Sequence, residues 1–229
     1  MSSLRVLAAL MKTVRADRAL GRSNDRHASV FERLYRQRED PWGLRASPFT
    51  QYRYLALLER LAAFTPCASL LDVGCGEGLF TRYLTGVASS VTGIDISATA
   101  IARARQNAPA AEFNCVSVQS YSPRERFDVV VAAEMLYYAE DMTDALDRLR
   151  ALGDVVVVSY ARARAPQVEQ CLRQTGQLNS TFHSFFQSTK HGFTIASLDA
   201  RAGGTPPAIS AAAPDSRAVR GLSVADLSS

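Results

Sequence analysis

The apolar positions of this chain change their period several times, and those changes divide it into elements. Val30, Phe31, Leu34 and Tyr35 recur at helical spacing and predict a helix over residues 28–38. Asp40-Pro41-Trp42-Gly43 ends it as a turn. Ser47-Pro48 opens a second helix, with Ser47 as its cap and Pro48 at the first helical position, where the missing N–H is not needed. Its apolar stripe runs through Tyr52, Leu55, Leu58 and Leu61. From there, short apolar runs alternate with amphipathic stretches. Strands are predicted at residues 69–73, 90–94, 112–116, 127–132 and 154–159, and helices at 79–84, 97–106, 142–149 and 166–173. Two weaker strand-like pieces follow at 181–188 and 192–198. Runs such as Val129-Val130-Val131 and Val155 to Val158 show no polar alternation, which suits strands buried on both faces. Strands and helices alternating at these lengths predict an α/β fold with a doubly wound parallel sheet.

Composition changes this picture mainly at the ends. The chain has 229 residues, enough for one domain with trimmings. Residues 1–27 read as a basic leader helix, 28–199 as the folded domain, and 200–229, rich in Ala, Gly, Pro and Ser, as a disordered tail. The net charge of +4 is too weak to argue for nucleic acid, because its excess lies near the start, in Arg5, Lys12, Arg15, Arg18, Arg22 and Arg26, and no concentrated stripe forms. No stretch reaches the ~18 apolar residues of a membrane span, so no integral membrane segment is expected. Cys67, Cys75, Cys115 and Cys171 form no C-x-x-C pair and have no His-rich neighbourhood, which argues against a metal site. They read as reduced thiols of a cytoplasmic protein. His27 reads as a surface residue, and His183 and His191 as structural ones.

The chemistry concentrates where the first predicted strand ends. Residues 70–78 read Leu-Leu-Asp-Val-Gly-Cys-Gly-Glu-Gly, and the next strand ends Gly93-Ile94-Asp95-Ile96-Ser97. Glycines let a backbone turn sharply and approach a ligand that a Cβ would exclude. A carboxylate about 20 residues further on can take both hydroxyls of a ribose. A dinucleotide turn is G-x-G-x-x-G, because a pyrophosphate must sit on the helix N-terminus. Here the third glycine comes one residue early, and position 79 is Leu79.

G-x-G-x-G after a strand ending in Asp72 resembles the turn of Rossmann-like, S-adenosylmethionine-dependent methyltransferases, over about residues 50–160. The resemblance implies a mainly parallel seven-stranded sheet with a C-terminal antiparallel hairpin. It implies that Asp72 meets the methionine ammonium of the methyl donor, directly or through water, and that Gly74, Gly76 and Gly78 line its sulfonium and methionine part. N–H groups at the next helix start can meet the methionine carboxylate; Arg53 either reaches that carboxylate too or lies solvated on its helix surface. Asp95 would take the ribose diol and Ile96 the adenine face. One position departs from the pattern. The acidic residue that often follows strand three is replaced by Ser117, whose hydroxyl holds adenine less strongly, by about 1 kcal/mol.

A second resemblance narrows the acceptor. FERLYRQREDPWGLRASPFTQYRY at residues 31–54 and FDVVVAAEMLYY at 127–138 resemble the NodS family of N-methyltransferases, over roughly residues 28–165. That family methylates the free amine of a de-N-acetylated chitooligosaccharide. The resemblance implies an amine or amino-sugar acceptor, oriented or deprotonated by Glu134, which follows strand four within reach of both donor and acceptor. Tyr35, Trp42, Tyr137 and Tyr138 would bind the substrate, with Phe49, Tyr52 and Tyr54 in the same aromatic region. A base-modifying methyltransferase usually carries Asn/Asp-Pro-Pro-Tyr/Phe after strand four, where this chain has Ala133-Glu134-Met135-Leu136. The remaining rivals are an O-methyltransferase of a sugar or small metabolite and an inactive donor-binding module, which Ser117 best supports.

Overall fold

The computed structural model describes residues 24–174, 180–185 and 192–199. The elements run α1 Asn24–Gln37, α2 Pro48–Ala62, β1 Cys67–Val73, α3 Thr81–Leu84, β2 Ala88–Asp95, α4 Ala98–Asn107, β3 Glu112–Cys115, β4 Phe127–Ala133, α5 Met142–Leu152, β5 Gly153–Ala161, α6 Ala165–Gln174, β6 Ser180–Phe185 and β7 Gly192–Asp199. A short 3-10 turn, Leu136–Tyr138, links β4 to α5, and another, Arg162–Arg164, links β5 to α6. α1 begins four residues before its sequence pattern does. The crossover helix expected at 79–84 shrinks to the single turn of α3, because its start is consumed by the glycine turn. The readings of a leader helix before residue 24, of the tail and of His191 lie outside the described residues, as do the side chains of His27 and His183.

Seven strands form one sheet in the order β3-β2-β1-β4-β5-β7-β6. β1 pairs in parallel with both β2 and β4, and β7 runs antiparallel to β5 and β6. The unbroken valine runs are explained by burial on both faces. Val130, Val156 and Val158 pack with Leu146 and Leu149 of α5 and Val168 and Leu172 of α6. Val129, Val131, Val155 and Val157 pack on the other face with Leu57, Leu58 and Leu61 of α2. Ser47 caps α2, accepting from the Thr50 N–H at 3.2 Å. Leu57 and Leu61 are essentially sealed from solvent. Truncating a leucine of this kind costs ~2–5 kcal/mol, so α2 is fixed to the sheet and holds its side chains firmly at the sheet's carboxyl edge.

From β1 the chain winds outward to β2 and β3, then returns to the far side of β1 as β4. The carboxyl ends of β1 and β4 therefore lead into loops that diverge, which is where open α/β sheets form a ligand crevice. No helix among the described residues is long and apolar enough to cross a membrane, and no group of three or more His, Cys, Asp or Glu among them is placed to hold a metal. Cys67, Cys75 and Cys171 are buried free thiols, and Cys115 is an exposed one.

Candidate active site

A cavity of about 610 Å³ opens at this switch point, lined from the ends of β1, β2, β3 and β4 and covered by α1, α2 and the turn between them. Its size lies within the ~300–1,000 Å³ typical of small-ligand sites.

The glycine turn builds one wall from backbone. Gly74 and Cys75 N–H groups both donate to the Ile94 carbonyl, at 2.8 and 3.1 Å, which ties the turn to β2. Gly74, Gly76 and Gly78 take φ of 71°, 54° and 73°, a region that side chains other than glycine rarely enter. The last two are needed for different reasons. A Cβ on Gly76 would lie 2.8 Å from Tyr35 Oη, at the cavity wall. A Cβ on Gly78 would lie 3.0 Å from the Cα of Ala104, so that glycine lets α4 close on the turn.

Two carboxylates flank this wall. Asp72 is buried at the end of β1, and its Oδ2 accepts from the Thr81 hydroxyl at 2.7 Å. Burial pushes its pKa up to about 7, against the opposing effect of the Thr81 bond. Asp95 accepts the N–H of Gly76 at 3.0 Å and of Ser97 at 2.9 Å, and burial raises it to about 6. A carboxylate offers about four acceptor positions, so Asp95 keeps capacity for a diol. Ile96 lines the cavity beside it, together with Ser117. The Ser117 hydroxyl also closes its own turn, accepting the Ser120 N–H at 3.2 Å. Gln119, unremarked in the sequence, lines the same wall.

α1 and the Asp-Pro-Trp-Gly turn are held over the cavity by polar contacts the sequence did not reveal. Glu32 accepts from the Thr99 hydroxyl and N–H and from the Ser97 hydroxyl at the start of α4. Its pKa falls to about 2, led by the Thr99 hydroxyl bond. Arg103 of α4 donates to the carbonyls of Tyr35, Arg38 and Glu39 and to buried Glu77, at 2.6 Å. Asp40 closes the turn by accepting from the Leu44 and Arg45 N–H groups at 2.9 and 3.0 Å. Trp42 Nε1 then donates to Tyr35 Oη at 3.0 Å. Tyr35 is thereby fixed over Gly76, with its pKa raised by burial.

The opposite wall follows β4. Glu134 has φ 59°, the only positive φ outside glycine among the described residues. Strain of this kind costs about 1–3 kcal/mol and persists where surroundings enforce it. Here the register does so: Ala133 pairs with Ser159, and the Glu134 N–H donates to the Ser159 carbonyl at 2.9 Å. The turned backbone aims the carboxylate inward. Its Oε2 accepts from Tyr137 Oη at 2.7 Å, and its Oε1 lies 3.4 Å from the Ser159 hydroxyl and 3.8 Å from Arg53 Nη1. Burial raises the Tyr137 hydroxyl well above its ordinary value and Tyr138 to about 12. Phe31, Trp42 and Tyr138 pack mutually, with ring centroids 5.6–6.2 Å apart. Phe31 lines the cavity, although the sequence pointed to it only through its helical spacing.

Arg53, Asp72, Gly74, Gly76, Asp95, Ile96, Ser117, Glu134, Tyr35, Trp42, Tyr137 and Tyr138 thus all border one space. Gly78 supports it from behind. Phe49 and Tyr52 do not join the aromatic group at Trp42: both pack on Phe193 of β7. Tyr54 stacks on Phe80 at 4.8 Å, at the cavity's edge.

Known proteins resemble this chain. Nodulation protein S of Sinorhizobium fredii is 38% identical over 107 residues, 45% of this chain and 50% of that protein. A ubiquinone biosynthesis O-methyltransferase of Rhodopseudomonas palustris is 41% identical over 101 residues, 41% of this chain and 40% of that protein. The chain thus spans about half the length, or less, of these two curated relatives. The crystal structure of the N-methyltransferase NodS from Bradyrhizobium japonicum, in complex with S-adenosyl-L-homocysteine, superposes with a TM-score of 0.65 at 26% identity, covering 76% of this chain and 97% of that one. The family model of nodulation protein S matches residues 23–162, more than half of the sequence and all of the cavity wall, and the chain belongs to the NodS family.

Proposed function

We propose that the protein is an S-adenosylmethionine-dependent methyltransferase acting on the free amine of an amino sugar or de-N-acetylated chitooligosaccharide. The observation that carries this reading is the continuity of the glycine wall with the Glu134 wall in one cavity. The residues fit such a donor. Gly76 presents bare backbone at the cavity wall, Asp95 has free acceptor capacity, and the buried Arg53 Nε makes no hydrogen bond. When bound, the donor supplies an electrophilic methyl group on a sulfonium.

On this reading Asp72 meets the donor's ammonium, Arg53 its carboxylate, Asp95 the ribose diol, Ile96 the adenine face and Ser117 its edge. Glu134, held by Tyr137 and Ser159, orients the acceptor amine and receives its proton. Trp42 and Tyr138 give a sugar ring an aromatic surface. The main contribution of the chain is alignment, which is worth several kcal/mol when two reactants are held in line.

Donor consumption measured against glucosamine oligomers, their N-acetylated forms and simple amines tests this. Activity on glucosamine that disappears on N-acetylation is expected. The similarity to ubiquinone O-methyltransferases supports a second reading, transfer to oxygen. Turnover of phenols or sugar hydroxyls, with none on amines, would establish that reading instead.

A further inference from the structure

We propose that Arg53 is shared between the two walls of the cavity, so that a carboxylate at the amino-acid end of the donor competes with Glu134 for one guanidinium. This rests on the donor assignment above and adds a coupling between the two substrate positions.

The pair is asymmetric. Glu134 does not depend on Arg53: its Oε2 takes the Tyr137 hydroxyl at 2.7 Å, and its N–H is bonded to Ser159. Arg53 has less to hold it. It is only 8% exposed, its Nε is buried without a hydrogen bond, and its Nη1 lies 3.8 Å from Glu134 Oε1, the outer limit of an ion pair. The Phe49 and Tyr54 rings, each with its centroid 6.0 Å from Cζ, hold the guanidinium but offer it no lone pair. A guanidinium has five donors in a fork that matches a carboxylate. A buried donor left unmade costs about 1–3 kcal/mol, so a carboxylate entering the cavity in bidentate fashion satisfies Arg53 better than Glu134 does at this separation. Because α2 is anchored through Leu57 and Leu61, the guanidinium changes partner by side-chain rotation, without helix movement.

The consequence is a sequence of events. When Arg53 turns to the donor's carboxylate it stops neutralising Glu134, and the Glu134 charge is left for an acceptor ammonium. Donor binding therefore strengthens acceptor binding, and by linkage the reverse holds as well.

Calorimetric titration of the full chain with S-adenosylmethionine and with its decarboxylated analogue, no acceptor present, tests the competition. The readout is the ratio of the two affinities, which cancels the sulfonium that both carry. Glu134→Gln should raise that ratio about three- to tenfold. Arg53→Met should lower it by about tenfold or more, and Glu134→Gln should have no further effect in that background. Arg53→Gln, checked by its melting curve, replaces Arg53→Met if the latter does not fold. An unchanged ratio in Glu134→Gln, or a rise that persists without Arg53, overturns the proposal; the latter means that Glu134 repels the donor's carboxylate directly. Failure of the wild-type chain to bind either nucleoside overturns the donor assignment as well.

Discussion

At the ends of β1 and β2 the cavity is walled by main chain, whereas at the end of β4 it is walled by side chains from separate segments. The first wall needs three positive-φ glycines, two strand-end carboxylates and the N–H groups that hold Asp95. All of these lie within residues 72–97. The second needs Phe31 and Trp42 from the N-terminal segment, Arg53 from α2, Glu134, Tyr137 and Tyr138 after β4, and Ser159 from β5. A wall made of backbone fits one ligand shape and tolerates little change. A wall made of side chains can be altered one residue at a time.

The hardest blow to the backbone wall is Gly78→Ala. The new Cβ meets α4 main chain at 3.0 Å in a left-handed conformation. A loss of roughly 2–4 kcal/mol in stability, with donor binding abolished, is expected in thermal melts and titrations. Wild-type behaviour would show that this wall is softer than its geometry implies.

On the other wall, Glu134→Gln should reduce turnover tenfold or more while the donor still binds, which corresponds to about 1.4 kcal/mol or more of transition-state stabilisation. Turnover and donor binding falling together would erase the division between the walls.

The backbone wall also responds to pH. Burial raises Asp72 from 3.8 to about 7, so the folded chain holds this proton more tightly than the unfolded one does. Its contribution to stability therefore grows as pH falls from about 7 to about 4, the reverse of a salt-bridged carboxylate. Donor affinity should move the other way, weakening below about pH 7, because an ammonium needs the anion. Melting curves and titrations from about pH 5 to 8 should show both trends, and Asp72→Asn should reduce both to the part that Asp95, raised to about 6, contributes.

The smallest effect is expected at Ser117→Asp. An aspartate can still cap the Ser120 turn and offers a charged acceptor, so donor affinity should rise by roughly three- to tenfold. No change would mean that adenine is held by other groups on that wall.

The parallel sheet and the glycine wall were legible from the residues alone. Unbroken runs such as Val129 to Val131 report burial on both faces, and the Asp72, glycine and Asp95 spacing is a local pattern. Local geometry sets both, since a turn with φ above zero favours glycine and strand ends follow from the apolar run. What only the folded chain decided is which distant side chains meet. Glu32 on the start of α4, Arg103 across three carbonyls of α1 and its turn, and Phe31 against Tyr138 join positions 64 to 107 residues apart. No periodicity encodes such pairs. The left-handed turn at Glu134 belongs with them: glutamate has no preference for that conformation, and it is imposed by the pairing of β4 with β5 through Ser159.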